Sequence, residues 1–314
     1  YQIVMTCDSS KNIRIYVNNT LISTTSASGT QPSSSSGGIR LMRRWDNPDY
    51  WGGSVGLVNI YNTALDSTII EEKWNLNKVR FGFTDSGFTT NGLILRYEIS
   101  DIDSYSGAST VTDLIGNSNA TLTNGPTYSI NGYINFDGTN DYLSTNTSLN
   151  SKLLPVNTSK FISHFVWIYP TDNGVIVSEI GQTTPNTLWH DSQIEIVGGN
   201  LKFGLWTLGG LSSLNSSIST PFYNWYYVGL TYDGTTMRGY VNGQLAGTKN
   251  LSRLTPYNGS SVGLHYAIAS SDSTSLGDGT PAKMKLGAFH VYNSTLSEQQ
   301  VLNNYNYTKS NYIY

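Results

Sequence analysis

The fold is decided by residues 226–246, YYVGLTYDGTTMRGYVNGQLA, because residues 1–22, YQIVMTCDSSKNIRIYVNNTLI, repeat the same pattern. In both stretches apolar and polar residues alternate, which is typical of a strand with one buried face. In the later stretch Asp233 and Asn242 each precede a glycine, and such dipeptides tolerate the positive φ of hairpin turns. The pattern therefore predicts three antiparallel strands joined by hairpins in each stretch.

The two stretches align with a gap of one residue in the first turn, so that Asp8 meets Asp233 and Val17 meets Val241. Cys7 then takes the place of Tyr232, and we expect its side chain to face a core. Cys7 is the only cysteine, which excludes an internal disulfide framework.

The match resumes between residues 54–75 and residues 285–306. Each of these segments ends in a predicted short helix. In the second, Ser297 stands three residues before Gln300, the spacing of a capping box that satisfies free N–H groups at a helix start. Asp66 is the corresponding cap in the first.

Residues 92–206 contain further strand-like segments that precede the repeated pattern only in its second copy. We therefore interpret residues 1–82 as the C-terminal part of a first domain, residues 83–91 as a linker and residues 92–314 as a complete second domain. On this interpretation the chain begins within a strand, and the opening strands of the first domain precede Tyr1.

Five segments together resemble the concanavalin A-like lectin/glucanase superfamily, specifically its laminin-G-like jelly roll. They are FDGTNDYL (136–143), FVWIYP (165–170), NWYYVGLTYDG (224–234), YVNGQLAG (240–247) and LGAFHVYNSTLSEQQV (286–301). The resemblance covers the second domain and recurs over the first 80 residues. It implies an all-β protein, an antiparallel jelly-roll β-sandwich, with a short C-terminal helix after each copy. Trp167, Trp225 and Trp74 are expected in the core.

The amino-acid composition argues against some classes of binding partner. Charged residues are 12% of the chain, against roughly 25% in typical soluble domains, so hydroxyl and amide groups dominate the predicted surface. A net charge of −3 without a basic run argues against nucleic-acid binding. The longest apolar stretches are strand-sized, so no membrane span is predicted.

Catalytic chemistry finds no support in the sequence. Glucanases that the chain resembles place Glu-x-Asp-x-x-Glu on one strand, and no such run occurs here. Glu195 comes nearest, but Gln193 and Val197 occupy the positions two residues away. The histidines lack the spacing of a zinc helix, and Ser, His and Asp are too common to nominate a triad. We expect a protein that is not an enzyme.

Two stretches combine aromatic and polar residues as sugar-binding surfaces do. The first candidate set is Trp189, His190, Asp191 and Trp206. The alternative to ligand binding is that Trp189 closes the edge of the sandwich. The second set is Arg43, Arg44, Trp45, Tyr50 and Trp51, which lie in one predicted loop. The alternative is that this loop covers a neighbouring domain. Laminin-G-like domains often bind Ca²⁺ on rim loops, so the resemblance makes Asp272 and Asp278 possible calcium ligands, or else solvated turn residues.

These observations predict a carbohydrate-binding or attachment module of a virion surface, fibre or cell-surface adhesin. The opening of the second domain, from residue 92, is also similar in composition to virion proteins of phages and large algal viruses. We expect an extracellular or virion-surface location, within a larger assembly, with glycans or neighbouring structural subunits as partners. The alternatives are a purely structural assembly protein without a glycan ligand, and a glycan hydrolase whose acids lie outside this sequence.

Overall fold

The computed structural model describes residues 2–17, 20–28, 55, 57–77, 87–153, 161–207, 209–251 and 263–313. The chain divides into two compact units, Tyr1–Asp85 and Ser86–Tyr314. The division falls within residues 83–91. That the first unit is part of one domain and the second a whole domain stays a prediction.

The described residues of the first unit form a three-stranded antiparallel sheet and one helix. Its elements are β1 (Ile3–Cys7), β2 (Asn12–Val17), β3 (Thr20–Ser26) and α1 (Ser67–Asn77). The strands pair in the order β1-β2-β3, as consecutive hairpins. Asp66 caps α1 as predicted, because its Oδ1 accepts the backbone N–H of Ile69 at 2.9 Å.

The second unit is rich in strands and contains two α-helices in its described part. Its elements are β4 (Leu93–Glu98), β5 (Thr110–Val111), β6 (Ala120–Thr123), β7 (Thr127–Ser129), β8 (Tyr133–Asp137), β9 (Tyr142–Thr145), α2 (Asn150–Leu153), β10 (Ile162–Pro170), β11 (Gly174–Ile180), β12 (His190–Val197), β13 (Asn200–Thr207), β14 (Gly210–Asn215), β15 (Tyr226–Tyr232), β16 (Thr236–Val241), β17 (Gln244–Asn250), β18 (His265–Ile268), β19 (Lys283–Tyr292) and α3 (Glu298–Thr308), with a 3-10 turn at Lys309–Asn311.

These strands form two antiparallel sheets. Sheet I has the order β17-β16-β15-β10-β19-β8-β7, and β4 also pairs with β19. Sheet II has the order β14-β13-β12-β11-β18-β9-β6-β5. Apolar side chains of both sheets form one core, to which Val166 and Leu230 of sheet I and Ile194 and Phe203 of sheet II belong. The architecture confirms the predicted all-β antiparallel sandwich of the concanavalin A-like type.

A second cluster of buried apolar side chains lies between sheet I and α3. Trp167 is fully buried in it, stacks on Tyr305 and donates from Nε1 to Thr308 Oγ1 at 2.8 Å. Trp225 is half-buried and packs against the same cluster. Ser297 and Gln300 form the predicted capping box at the start of α3. In the part of the chain that the structure describes, no helix is long and apolar enough to cross a bilayer.

The two stretches that the sequence aligned have matching strand register. Ile3 pairs with Val17 across β1 and β2, and at the aligned positions Val228 pairs with Val241 across β15 and β16. The register also shifts at aligned places, just before Tyr16 in the first unit and just before Tyr240 in the second. A bulge bends a strand locally, so both hairpins bend at the same point.

The first turn of each hairpin set is closed by an aspartate and an arginine. Asp8 accepts from Arg14 Nη1 at 3.0 Å, and Asp233 accepts from Arg238 Nη1 at 2.6 Å. Each carboxylate also accepts the backbone N–H of the residue that opens the next strand, at 2.9 Å in the first unit and 2.8 Å in the second. The same charge pair therefore holds the same turn in both units.

Burial differs between these two sets of strands. Val228 and Leu230 are fully buried, whereas Ile3 and Met5 are each 72% exposed. Cys7 is also exposed, so the expectation that it faces a core is wrong. The reason is that sheet II covers the inner face of β15, while the described residues of the first unit contain one sheet only.

We predict that Asp233→Asn lowers the melting temperature of the second unit by about 2–4 °C at neutral pH, since the loss of this ion pair costs about 1 kcal/mol. Burial raises the pKa of Asp233, but hydrogen bonds from Arg238 and from the backbone outweigh it and hold the pKa well below its usual range. A depressed carboxyl pKa stabilises the fold above about pH 4, and this contribution is lost as pH falls toward the folded-state pKa.

The measurement is thermal unfolding as a function of pH. The difference between the wild-type chain and Asp233→Asn should shrink as pH falls below about 4. Asp172→Asn, in an exposed turn, is the matched control and should leave the melting temperature unchanged. A difference that is constant across this pH range would contradict the assignment.

Candidate functional site

Two loops meet at one end of sheet II and form what we call the rim: residues 181–189, between β11 and β12, and residues 269–282, between β18 and β19. The first loop is closed where Gly181 N–H donates to Trp189 O at 2.8 Å. Asn186 joins the two loops, because its Nδ2 donates to Ser271 and its Oδ1 accepts Ser273 N–H at 2.7 Å.

Glu195 holds the longer loop on sheet II. Its carboxylate is fully buried and accepts the backbone N–H groups of Leu276 at 2.6 Å, Asp278 at 2.5 Å and Gly279 at 2.8 Å. The Ser192 hydroxyl donates to Oε2 at 3.1 Å. A buried charge is tolerated only when such donors surround it. The role of Glu195 is therefore to fix this loop.

An apolar contact adds to this anchoring. Leu276 is buried and lies over Gly204 of β13, where an added Cβ would stand 2.4 Å from Leu276 Cδ2. Lys202 Nζ, on the same strand, donates to Leu276 O at 3.0 Å. The absence of a side chain at Gly204 thus lets the loop pack directly on the sheet.

His190 lies between Asp272 and Ser273. Its Nδ1 donates to the buried Asp272 Oδ1 at 2.7 Å, and Ser273 Oγ is 3.5 Å from Nε2. The order Asp, His, Ser is that of an acyl-transfer triad, which also needs N–H donors for an oxyanion. Here Ser273 N–H is bound by Asn186, and Thr274 N–H by Asp272. The three side chains therefore brace the rim.

The first sequence-predicted set of ligand residues is split by the structure. Trp189 is half-buried at the end of its loop and packs against the main core, and His190 follows it. Trp206, on β13, is 43% exposed. Asp191 is only 2% exposed, and its carboxylate accepts from Gln193 Nε2, so it lies in the interior.

Asp191 belongs to a group of polar side chains within the sandwich. It pairs across the strands with Glu179, which is equally buried and accepts from Tyr266 OH at 2.9 Å. Burial, together with the negative charges of Glu179 and Asp191, raises the pKa of Tyr266 well above its usual value. Tyr266 therefore stays protonated and acts as a hydrogen-bond donor.

The second sequence-predicted set lies outside the described residues. It comprises Arg43, Arg44, Trp45, Tyr50 and Trp51. Its role stays a prediction.

Asp272 and Asp278 each accept a backbone N–H within their own loop, while Asp272 Oδ2 is buried and accepts no hydrogen bond from a described residue, and their role as calcium ligands stays a prediction. Ca²⁺ takes six to eight oxygen ligands, but Asp272 Oδ1 is engaged by His190 and Thr274 N–H. Asp278 Oδ1 accepts the backbone N–H of Thr280, as turn residues do. Among the described residues there is no group of three or more His, Cys, Asp or Glu side chains placed to hold a metal. Asp278 closes the loop on itself, and Asp272 also ties the loop to His190 of β12.

We predict that Glu195→Gln destabilises the second unit by about 2–4 kcal/mol. The substitution removes the charge and replaces one carboxylate oxygen by an NH₂ group, which would face backbone N–H groups that now donate to that oxygen. The free energy of unfolding in urea measures this loss. Hydrogen exchange should also show faster exchange at Leu276, Asp278 and Gly279. Glu298→Gln, on an exposed position of α3, is the matched control. Wild-type stability and unchanged exchange in Glu195→Gln would refute the anchoring role.

We predict that added Ca²⁺ raises the melting temperature by no more than about 2 °C, because a ligand stabilises a fold only as far as the fold offers it a site. Thermal unfolding with Ca²⁺ and with a chelator is the measurement. Asp278→Asn should respond like the wild-type chain. A shift of many degrees that the chelator reverses would show that a calcium site exists.

Solved structures similar to this chain support the fold. The botulinum neurotoxin serotype D binding domain has a TM-score of 0.50 and 16% identity, over 68% of this chain and 51% of that one. A Trypanosoma rangeli sialidase in complex with 2,3-difluoro-KDN has a TM-score of 0.51 and 14% identity, over 71% of this chain and 33% of that one. The chain thus spans about half of the toxin domain and a third of the sialidase. At this identity the likeness concerns the fold alone.

A search of curated proteins finds no match. A family model does match, over residues 1–71 and 137–302, more than half of the chain. It is a laminin-G-type model, described as the concanavalin A-like lectin/glucanase superfamily. Together with the antiparallel sandwich, this match shows that the chain belongs to the concanavalin A-like lectin/glucanase superfamily.

Proposed function

We propose that the chain is a non-enzymatic carbohydrate-binding module that serves attachment. The proposal rests first on membership of a superfamily whose lectins and glucanases both take carbohydrates as ligands. The observation that carries it further is the rim, where two loops are locked together and end at the half-buried Trp189. A fixed surface of this kind binds without a loss of loop entropy.

The rim has the chemical groups that sugars need. Trp189 and the exposed Leu188 supply apolar surface for the C–H face of a ring. Ser273 and Thr187, in the same two loops, carry hydroxyls. Sites for small polar ligands combine an apolar wall with a few polar groups that fix orientation. Trp206 is a second aromatic residue, exposed on the sheet that carries the rim.

The acids of β11 and β12 favour binding over hydrolysis. A glycosidase needs two carboxyl groups that flank the sugar, one as acid and one as nucleophile or base. Glu195 is saturated by four donors from the protein itself. Glu179 and Asp191 are buried inside the sandwich. None of these three acids faces an open cleft, which supports a module that holds a glycan without cleaving it.

We infer that the two units belong to one type of domain, of which residues 1–82 are the C-terminal part. The matching register, bulges and Asp-Arg turns of β1-β2-β3 and β15-β16-β17 support this. Linked weak sites gain affinity by raising the effective concentration of the second binding event. Such a tandem suits a virion surface, a fibre or a cell-surface adhesin, and an extracellular location.

A purely structural assembly protein is the second candidate. The observation in its favour is the exposed apolar surface of the first unit, which includes Ile3, Met5, Leu21 and Ile22. Exposed apolar patches often mark contacts between proteins. In that case the rim would have no sugar ligand, and neighbouring structural subunits would be the partners.

We predict that the full chain binds glycans on an array, and that Trp189→Ala and Trp206→Ala each weaken binding about tenfold, since the loss of one aromatic contact costs about 1.4 kcal/mol. Tyr307→Ala, an exposed aromatic residue on α3, is the matched control and should bind as the wild-type chain does. Trp45→Ala tests the second sequence-predicted set in the same assay.

The array also separates the two candidates. Binding that survives all of these substitutions would exclude both predicted surfaces. Absence of binding to any glycan, together with concentration-dependent self-association in sedimentation, would favour the structural protein. Release of free sugar from a bound glycan would contradict the non-enzymatic proposal.

A further inference from the structure

A cavity of about 460 Å³ lies at the end of β4, away from the residues of the rim. Its lining residues are Arg96, Glu98, Ser100, Asp101, Ile102 and Asn311. The first two belong to β4, the next three to the turn that follows it, and Asn311 to the 3-10 turn after α3. None of them was singled out by the sequence.

Glu98 is the unusual member of this lining. It is 3% exposed, and its Oε1 accepts from Arg96 Nε at 3.1 Å and from His290 Nε2 at 2.9 Å. Its Oε2 is buried and accepts no hydrogen bond from any described residue. Leaving a buried polar atom without a partner costs about 1–3 kcal/mol, and more for a charged group. The described part of the protein therefore supplies no hydrogen-bond donor for this oxygen.

The Glu98 carboxyl is ionised at neutral pH. Burial raises its pKa, but the charge and hydrogen bonds of His290 and Arg96 outweigh burial and lower the pKa below its usual value. Tyr227 OH lies 3.4 Å from the other ring nitrogen of His290, so both nitrogens of that ring face partners. The Glu98 side chain thus stays an acceptor.

Arg96 places a donor beside this acceptor. Its Nε is fixed by Glu98, and its guanidinium lies 4.7 Å from the centre of the Phe88 ring. The terminal nitrogens donate to no residue in the described ranges, and the side chain is partly exposed. The cavity therefore has a held guanidinium with free N–H groups next to a carboxylate with a free oxygen.

We propose that this cavity binds a neutral sugar through two neighbouring hydroxyl groups. One hydroxyl donates to Glu98 Oε2, and the adjacent one accepts from the Arg96 guanidinium. Oε2 is buried in the unliganded structure, and because the terminal torsion of a glutamate is broad, the carboxylate rotates on binding to bring Oε2 to the cavity, with Oε1 shifting against Arg96 and His290. Ile102, which is 72% exposed, lies against the apolar face of the sugar, and Asn311 and Ser100 supply further hydrogen bonds.

The charges of the lining select against anionic sugars. Arg96 is the one positive side chain among the six, whereas Glu98 and Asp101 are both negative. Arg96 is already paired with Glu98, so an incoming carboxylate or phosphate would meet a lining whose side chains sum to one negative charge, with Asp101 unpaired within the lining. The binding of a neutral diol leaves this balance unchanged. This site is separate from the rim, and it extends the proposed carbohydrate binding to a second surface.

The test is ligand-observed NMR on the full chain with methyl α-mannopyranoside and methyl α-galactopyranoside as neutral probes. N-acetylneuraminic acid is the anionic control and ethanolamine the cationic control. We expect saturable binding of a neutral probe that Glu98→Gln weakens about tenfold or more. Since Glu98→Gln can disturb the fold, Ile102→Ala and Asn311→Ala, at exposed lining positions, should each weaken binding about three- to tenfold.

Ile130→Ala, 92% exposed on another turn, is the control for the surface substitutions and should have no effect. Failure to bind either neutral probe, or binding that all three cavity variants leave unchanged, would overturn the proposal. So would tighter binding of N-acetylneuraminic acid or ethanolamine. Binding that is lost in Trp189→Ala but kept in Glu98→Gln would support the rim and reject this cavity, which separates the two proposals.

Discussion

The fold depends on the burial of β10 from both sides. Val166 packs in the core between the sheets, while the next residue, Trp167, packs in the cluster under α3. Because successive side chains of a strand point to opposite faces, a strand with apolar side chains on both faces needs a cover on each face. Sheet II is one cover and α3 is the other. The faces of β10 are thus closed to ligands, and polar chemistry is confined to loops and to the ends of strands.

The features predicted from the sequence are those whose causes are local. Alternation and turn dipeptides predicted the hairpins, and the spacing of Ser297 and Gln300 predicted the cap of α3. Whether a side chain is buried depends on residues that are distant in sequence. The position of Cys7 in the alternation was identified, yet whether its face is covered depends on a second layer that the pattern does not describe. The same limit explains why Asp191, next to the partly exposed candidates Trp189 and His190, lies in the interior.

The groups that define both candidate sites are distant in sequence. Glu195 is bound by residues 81 to 84 positions later, and Glu98 is joined to His290 across 192 positions. Neither glutamate stands in a motif. Glu195 was considered as a catalytic acid because acids on strands serve that role in glucanases, but its donors are backbone N–H groups. One signal was available: a glutamate within an apolar strand segment must find partners when it is buried.

The two glutamates show how the same requirement leads to different outcomes. Glu195 has all its donors within the protein, so its charge stabilises a loop and leaves nothing for a ligand. Glu98 has donors for one oxygen only; the other is buried without a partner, in a side chain that belongs to the lining of a cavity. On a surface with few charged residues, long-range attraction between protein and ligand is weak and short-range hydrogen bonds decide which ligand binds. A buried carboxylate with one unused oxygen provides that kind of selectivity, because a ligand without a donor at that position leaves the cost of the unpaired oxygen in place.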